Sequence, residues 1–341
     1  MDARLLAERL AAVPRLPLET APTPLEFLPA LSRALGRPVY LKRDDQCGPA
    51  PGGNKARKLA YILAAARRSG HRRVVTYGAP QSNHARLVAA LAPRLGLEAH
   101  LFYFTRRPDR LTGNLLLCHL LGARLHFLPL RSQPGRWTIE RTDRLVHLLA
   151  WLRLGPHTFI PVGGHSVLGA LGYVQAALEL EQQARAQGLA QAWVVVATGT
   201  GGTLAGLWAG LTLLGSALRP LGIDIGALWR DLPRSIARLA ERVCARLGAP
   251  RRFDPAAVPL VTGYAAPGYG QPSPLGNRAL RQLAQLEGVL LDPVYTAKAF
   301  GGLLDLQARG YFGPTDPVIF LHTGGLPALF AVAPDDLLAA D

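Results

Sequence analysis

The chain has 341 residues, 49% hydrophobic and 18% charged, which supports a large core, predicts about two domains and excludes a disordered or coiled-coil protein. Its formal charge of +15 would suit nucleic acid or an anionic membrane, but the basic residues are almost all Arg and are spread over the whole chain, which indicates compositional drift instead. No stretch reaches the roughly 18 uncharged apolar residues of a membrane span, so we expect neither a nucleic-acid nor a membrane partner.

Patterns typical of strands and of helices alternate along most of the sequence. The predicted strands cover residues 38–43, 73–77, 98–103, 124–128, 158–162, 192–197 and 318–322. The predicted helices cover residues 2–13, 55–68, 83–95, 113–121, 137–152, 168–187 and 203–214, and a weaker strand–helix pair covers 222–247. This alternation predicts an α/β fold with two parallel or mixed sheets, each covered by helices, because the units are too many for one ordinary sheet. Sites in such folds lie at the carboxyl ends of strands, which directs attention to the loops that follow them.

The first of these loops contains Lys55, in the segment Gly52-Gly53-Asn54-Lys55 at a predicted helix start. Only four of the 38 basic residues are lysines, so a Lys that is retained is a candidate for chemistry that Arg cannot perform. An amine can lose its proton and form a Schiff base, whereas a guanidinium stays protonated. A helix N-terminus disfavours the charged form of an amine, which suits a nucleophilic Lys better than a structural one.

Two further loops follow strands and lead into helices. The first is Gly78-Ala79-Pro80-Gln81-Ser82-Asn83-His84, and the second is Thr198-Gly199-Thr200-Gly201-Gly202-Thr203. Amides at a helix N-terminus, together with Ser, Asn or Thr side chains, can hold a carboxylate, a phenolic oxygen or a phosphate. The second loop has neither the P-loop ending nor the GxGxxG spacing, so it predicts a phosphate site of another kind. An ordinary N-cap for the first loop and an ordinary glycine-rich turn for the second are the alternatives.

Weaker patterns occur at Leu291-Asp292-Pro293-Val294-Tyr295, which precedes Thr296, and at His322-Thr323-Gly324-Gly325 after the last predicted strand. A simple strand-end turn would explain either of them. Taken together, the loops supply a Lys that can become neutral, a phosphate-binding turn, an Asn for an oxygen, and the Thr323 hydroxyl beside a Gly pair. Pyridoxal 5'-phosphate requires this set, as partners for its aldehyde, phosphate, ring oxygen and ring nitrogen.

Five segments in order along the chain carry a resemblance to a known family: GGNKARKL (52–59), QSNH (81–84), LGALGY (168–173), DPVY (292–295) and HTGG (322–325). They resemble the fold-type-II pyridoxal phosphate enzymes of the 1-aminocyclopropane-1-carboxylate deaminase/D-cysteine desulfhydrase family, over residues 15–332. The resemblance implies a tryptophan-synthase-β-like fold and a homodimer. It also implies a large cofactor-binding domain (1–47 plus 163–341) and a small domain (48–162) that carries Lys55 and the QSNH loop.

The same resemblance implies the roles of the site residues. Lys55 would hold the cofactor aldehyde and later act as the base. The other cofactor-binding residues would be Asn54, Asn83, Thr198, Gly199, Thr200, Gly201, Gly202, Thr203 and Thr323. The catalytic groups would be Lys55, Ser82, Tyr269 and Tyr295. The substrate, a small amino acid, would be bound by Ser82, Asn83, His84 and His165, although for His165 a solvent-facing position is an equal alternative.

Three positions favour the desulfhydrase branch: His84, Thr296 and Thr323 stand where the deaminase branch typically has Gln, Glu and Leu. A Glu would keep the pyridine nitrogen protonated and the ring strongly electron-withdrawing, whereas a Thr hydroxyl is compatible with an unprotonated ring. Expelling a β-substituent needs less stabilisation of a carbanion than opening a cyclopropane. The predicted reaction is therefore α,β-elimination, with D-cysteine converted to pyruvate, ammonia and sulfide.

The sequence is also compatible with other functions. Pro80 and His165 depart from the family pattern, which leaves the leaving group uncertain. The alternatives are cyclopropane deamination, elimination from L-cysteate, and a catalytically inactive protein that only binds the cofactor. Cys47, Cys118 and Cys244 have no disulfide or metal-ligand spacing, and no signal peptide is evident. These features predict free thiols, no metal and a cytoplasmic location.

Overall fold

The computed structural model describes residues 1–129 and 135–338 of the chain. The strands are β1 (Leu25–Phe27), β2 (Val39–Lys42), β3 (Arg73–Gly78), β4 (Glu98–Tyr103), β5 (Arg124–Phe127), β6 (Thr158–Phe159), β7 (Ala192–Thr198), β8 (Leu218–Asp224), β9 (Leu260–Val261) and β10 (Val318–Leu321). The α-helices are α1 (Ala3–Ala11), α2 (Pro29–Leu35), α3 (Lys55–Arg68), α4 (Asn83–Leu91), α5 (Gly113–Leu120), α6 (Ile139–Leu154), α7 (Val167–Ala186), α8 (Gly202–Leu214), α9 (Leu232–Arg246), α10 (Pro274–Glu287), α11 (Thr296–Ala308) and α12 (Pro334–Leu338).

These strands form two sheets, as the sequence predicts. The larger sheet has the order β1-β2-β10-β7-β8-β9, in which β1 is antiparallel to β2 and the other neighbours are parallel. The smaller sheet has the order β5-β4-β3-β6 and is parallel. Its strands all lie within residues 48–162, the range of the predicted small domain, although the division into two domains stays a prediction.

The run of valines in β7 shows why helices cover both faces of the larger sheet. Side chains along a strand alternate between its faces, so a continuous apolar run must be buried on both sides. Val194 and Val196 pack into a core with α7, α8 and α9. Val195 packs into a separate core with α10 and α11.

Most differences between predicted and observed elements have a local cause. The helix predicted over 83–95 ends at Leu91, and Pro93 starts a separate 3-10 turn because its ring cannot continue an α-helix. The predicted elements do not include β1, α2, β9, α10, α11 or α12. Helix α10 begins with Pro274 after Ser273, whose Oγ accepts the Gly276 amide at 3.1 Å. Ser273-Pro274 is thus a capped helix start.

A buried ionic cluster holds α3 against the larger sheet. The Arg57 guanidinium pairs with Asp44, just after β2, at 2.9 Å and with Glu179 of α7 at 2.8 Å. The Tyr173 hydroxyl also donates a hydrogen bond to Asp44, at 2.6 Å. Burial alone would raise the pKa of Asp44, but the charges of Arg57 and Lys42 outweigh it, and the pKa lies below its ordinary value. Because Lys55 begins the same helix, this cluster also fixes where Lys55 lies.

We expect Asp44→Asn to lower the free energy of unfolding by about 3–5 kcal/mol, because it leaves the buried Arg57 charge only partly compensated. The loss should be complete above the ordinary Asp pKa of about 4 and should shrink as the pH falls through the lower folded-state pKa, since only the ionised carboxylate contributes. Denaturant unfolding over a pH series measures both effects. Glu8→Gln is the control, because it removes an exposed pair with Arg4 and should change little. Equal effects of the two substitutions would contradict a dominant role for the buried cluster.

Candidate active site

A cavity of about 420 Å³ lies where the predicted loops meet, at the carboxyl ends of strands from both sheets. The predicted site residues that line it are Asn54, Lys55, Ser82, Asn83, His84, Thr198, Gly199, Thr200, Gly201, Gly202, Thr203, Tyr269, Tyr295 and Thr323. His165 is not among the lining residues. The fold thus brings together loops that are separated by more than two hundred residues in the sequence.

Lys55 is the first residue of α3 and has Asn54 as its N-cap. Its Nζ donates to Asn54 Oδ1 at 2.9 Å. Burial lowers the pKa of Lys55 to about 8, with Asp292 opposing the shift and Arg86 adding to it. At pH 7 roughly a tenth of such amines are neutral, against roughly 0.03% at an ordinary Lys pKa. Lys55 is therefore poised to act as a nucleophile or a base.

The glycine-rich turn before α8 lies beside Lys55. Asn54 Nδ2 donates to Thr203 Oγ1 at 3.1 Å and so joins the two loops. Gly201, with φ of +77°, is the N-cap of α8 and offers no side chain to the first amides of the helix. A Cβ on Gly201 would lie 2.3 Å from Ile236 Cγ1, so only glycine permits this turn. Uncapped amides at a helix N-terminus that open onto a cavity form an anion site.

Lys58 is a second cavity-lining amine, which the sequence reading did not assign to the site. It lies one turn after Lys55 on the same face of α3, and its Nζ donates to Gly163 O at 3.1 Å. A Cβ on Gly202 would approach Lys58 Nζ at 3.0 Å, which places the amine at the glycine-rich turn. Burial and the neighbouring Lys55 lower the pKa of Lys58 well below its ordinary value, and a bound anion would oppose that shift. The scarcity of Lys and the three-residue spacing from Lys55 were the signals that could have identified it.

The orientation of the Asn83 side chain is set by buried groups behind it. Arg86 Nε donates to Asn114 Oδ1 at 2.6 Å, and Asn114 Nδ2 donates to Asn83 Oδ1 at 2.9 Å. The Asn83 amide nitrogen is therefore the part of the side chain left as a donor to the cavity. Arg86 also donates to the carbonyl of Gly52 at 3.0 Å, so it supports the loop that leads to Lys55. Asn114 and Arg86 carried no pattern in the sequence that pointed to a site.

Ser82 and His84 flank Asn83 at the start of α4. Ser82 Oγ accepts the amide of Ala85 at 3.2 Å, so Ser82 is both a helix cap and a cavity residue. His84 Nε2 is 3.0 Å from Thr76 Oγ1, while its buried Nδ1 has no partner among the described residues. Burial and the nearby lysines lower the pKa of His84 well below its usual range, so the imidazole is neutral.

His165 has a different environment from the one predicted. Its Nε2 is 3.0 Å from Ser235 Oγ, and a Cβ on Gly202 would lie 3.5 Å from its Nδ1. The ring is therefore behind the glycine-rich turn rather than on the cavity surface. Burial lowers the pKa of His165 to about 3. This position supports the turn, and it does not favour the predicted contact with substrate.

Tyr269 and Tyr295 meet at the cavity wall. Their hydroxyl groups are hydrogen-bonded to each other, and their rings pack edge-to-face with centroids 5.8 Å apart. Burial raises the pKa of both hydroxyl groups, so both carry their protons near neutral pH. The pair can act as a proton donor but not as a ready base.

No Asp or Glu occurs among the described residues that line the cavity. The nearby Asp292 is fully buried and accepts the Thr296 hydroxyl at 2.7 Å and the Thr296 amide at 2.9 Å. Thr296 is therefore committed to Asp292 and does not line the cavity, whereas Thr323 does. The described lining of this cavity therefore offers hydroxyl groups such as that of Thr323, and no carboxylate, to a bound ring nitrogen.

The geometry of these residues fits pyridoxal phosphate. Lys55 is an amine with a lowered pKa, the uncapped N-terminus of α8 lies beside the second amine, Lys58, and Asn83 is an oriented amide donor. The chain matches the family described as pyridoxal-phosphate dependent enzyme over residues 16–324 and belongs to it. The predicted cofactor and the predicted resemblance are thereby confirmed.

Individual proteins of known name are similar to this chain over nearly its whole length. D-cysteine desulfhydrases from Salmonella choleraesuis (strain SC-B67) and Klebsiella pneumoniae (strain 342) are 42% and 41% identical to this chain over 333 and 335 residues. The alignments cover 95% and 96% of this chain and 98% of each relative. The crystal structure of an ACC deaminase homologue is 36% identical, with a TM-score of 0.87 over 99% of both chains. Threonine deaminase isoform 2 from Solanum lycopersicum, at 16% identity and a TM-score of 0.65 over 95% of this chain and 85% of that one, shares the fold.

We expect Asn114→Ala to weaken cofactor binding by about tenfold, because Asn83 loses the hydrogen bond that orients its amide. Titration of the cofactor-free protein with pyridoxal phosphate, followed by absorbance, gives the dissociation constant. Asn277→Ala is the matched control, since Asn277 is also buried but bonds to Asp336 O outside the cavity. Unchanged affinity in Asn114→Ala would show that Asn83 does not need this partner.

Proposed function

We propose that this chain catalyses the α,β-elimination of D-cysteine, in which water is consumed and pyruvate, ammonia and sulfide are formed. The observation that carries the proposal is one cavity that joins Lys55, with its lowered pKa, to a tyrosine pair that keeps its protons. The D-cysteine desulfhydrases that are about 42% identical over nearly the whole chain support the choice of substrate.

In this proposal different cavity residues would bind different groups of the cofactor. The turn Gly199–Thr203 and Lys58 would hold the phosphate, Asn83 would donate to the ring hydroxyl, and Thr323 would be the partner of the ring nitrogen. Lys55 would hold the aldehyde. When bound, pyridoxal phosphate supplies a carbonyl that condenses with amines and a ring that withdraws electrons from the α-carbon.

The remaining groups act on the substrate. The first amides of α4, with Ser82 and His84, bind the substrate carboxylate, since a helix N-terminus favours an anion. Lys55 removes the α-proton as a neutral amine. The carbon–sulfur bond breaks with its electron pair on sulfur, and the tyrosine pair delivers the proton that sulfur needs. The enamine that is released hydrolyses to pyruvate and ammonia.

The absence of a carboxylate among the described cavity residues supports elimination over cyclopropane opening. A Thr hydroxyl can donate a hydrogen bond to an unprotonated ring nitrogen, but it does not stabilise a protonated one as a carboxylate does. Elimination of a good leaving group tolerates the weaker electron withdrawal that results. Elimination from L-cysteate and a protein that binds the cofactor without turnover are the alternatives that the assay below separates.

We further propose that the chain works as a cytoplasmic homodimer built from the large (1–47 plus 163–341) and small (48–162) domains. Support comes from the resemblance and from the three free, buried cysteines, which suit a reducing compartment. In residues 1–129 and 135–338 no helix is long and apolar enough to cross a membrane.

The purified, cofactor-loaded protein should convert D-cysteine to equal amounts of pyruvate and sulfide. Lys55→Ala should lose the visible absorbance of the bound cofactor and reduce turnover by at least about 10³-fold, since the nucleophile and base are the same amine. Parallel assays use L-cysteine, L-cysteate and 1-aminocyclopropane-1-carboxylate, read out as pyruvate, sulfite and 2-oxobutanoate.

Arg67→Ala is the control, because Arg67 is exposed at the far end of the same helix, and its activity should be unchanged. Formation of 2-oxobutanoate faster than pyruvate would overturn the elimination. A protein that binds the cofactor but turns over none of the four substrates would support the non-catalytic alternative.

A further inference from the structure

Lys298 is a buried charge that no step of the proposed reaction uses. It is the third residue of α11, the helix that begins directly after Tyr295, and only 1% of its surface is exposed. Its Nζ donates to the carbonyl oxygens of Ala265 at 3.0 Å and Gly268 at 2.7 Å. Within the described residues it forms no ion pair with a carboxylate, so its charge is balanced by backbone dipoles.

The two carbonyls belong to the segment that leads directly to Tyr269. Gly268 and Tyr269 both line the cavity, and a Cβ on Gly226 would press against the Tyr269 ring at 3.0 Å. One side of the Tyr269 ring is thus confined by the turn after β8. The Lys298 ammonium confines the backbone that carries Tyr269, from the helix that follows Tyr295. Tyr269 and Tyr295 are therefore linked twice: directly, by the hydrogen bond between their hydroxyl groups, and indirectly, through Lys298.

The choice of Lys at this position has a physical reason. The chain uses Arg at all but four of its 38 basic positions, yet it keeps a Lys here. An ammonium is a compact charge whose three donors can converge on carbonyl oxygens, whereas a guanidinium is a broad planar fork. A buried cation held by carbonyl oxygens resembles a bound monovalent metal ion in its chemistry. Burial lowers the pKa of Lys298 to about 8, so the amine is still mostly charged at neutral pH.

We propose that the Lys298 ammonium serves as a built-in monovalent cation, a positioning residue that holds the 265–268 segment so that the Tyr269 hydroxyl stays on the Tyr295 hydroxyl. The proposal rests on the proposed function, because the tyrosine pair is the proton donor of the elimination. Its consequence is that the charge, rather than the side-chain volume, supports turnover.

Lys298→Ala and Lys298→Met in the cofactor-loaded protein test this proposal. Both should lower kcat for D-cysteine by about 10²-fold, the contribution of a positioned general acid, with KM and the cofactor spectrum changed less than about threefold. Ammonium or methylammonium ions should restore at least about tenfold of the loss in Lys298→Ala, whose shorter side chain leaves room for them. They should restore nothing in Lys298→Met, which fills the space without a charge. Activity near wild type in both variants would overturn the proposal.

A double-mutant cycle with Tyr269→Phe separates positioning from general destabilisation. If Lys298 acts through Tyr269, Lys298→Met should reduce kcat in the Tyr269→Phe background by less than about threefold. Full additivity of the two losses would overturn the proposal. A crystal structure of Lys298→Met needs no substrate and distinguishes a failure here from a failure of the proposed function. A displaced 265–268 segment with separated hydroxyl groups is expected, and an unchanged tyrosine pair would overturn the proposal.

Discussion

The hydrogen bond from Asn54 Nδ2 to Thr203 Oγ1, at 3.1 Å, joins the N-termini of two helices that open onto one cavity. Asn54 caps α3, which begins with Lys55, and Thr203 lies in the first turn of α8. Each helix N-terminus carries a partial positive charge that disfavours an ammonium and favours an anion. The same arrangement therefore places an amine with a lowered pKa beside a helix N-terminus that favours an anion. The proposed chemistry depends on this pairing, because the aldehyde and phosphate of one small cofactor must be held at once.

The buried basic residues divide by what their side chains can do. Arg57 and Arg86 make planar, many-donor contacts with carboxylates, an amide and carbonyls, and they fix α3 and the loop before it. Lys55 and Lys58 face the cavity, where an amine with a lowered pKa is useful. Lys42 and Lys298 do not line the cavity, since Lys42 pairs with Glu179 in the structural cluster and Lys298 donates to the carbonyls of Ala265 and Gly268. The rarity of Lys was therefore an informative signal for the site, although it did not distinguish every lysine from a structural one.

The sequence predicted the parts of the fold and the site that depend on local pattern. The valine run of β7, the helix from Lys55 and the loops after the strands could all be predicted. Each is indicated by the hydrophobic pattern or the glycine spacing of a single segment. The strand β1 was missed because it has only three residues and follows a Pro-rich stretch, so its pairing with β2 is a tertiary effect. The roles of Arg86 and Lys298 could not be predicted from sequence for the same reason. The partners of Arg86 lie 28 to 36 residues away in the chain, and those of Lys298 lie 30 to 33 residues away.

The position of His165 shows a different limit. A strand end predicts that a side chain lies near a site, but it does not say on which side of the neighbouring turn. The turn at Gly201–Gly202 stands between the His165 ring and the cavity, and the ring contacts Ser235 on the far side of that turn. Thr296 is similar, because its hydroxyl donates to Asp292 and does not reach the cavity, whereas Thr323 lines it.

The most direct test of the central claim is to identify the amine that holds the cofactor. Borohydride reduction of the cofactor-loaded protein fixes the cofactor to that amine, and peptide mapping by mass spectrometry locates it. Lys58 is the demanding internal comparison, since it lines the same cavity one helical turn from Lys55. The pairing of α3 with α8 predicts modification at Lys55 alone. Modification at Lys58, at another Lys or at none would contradict it.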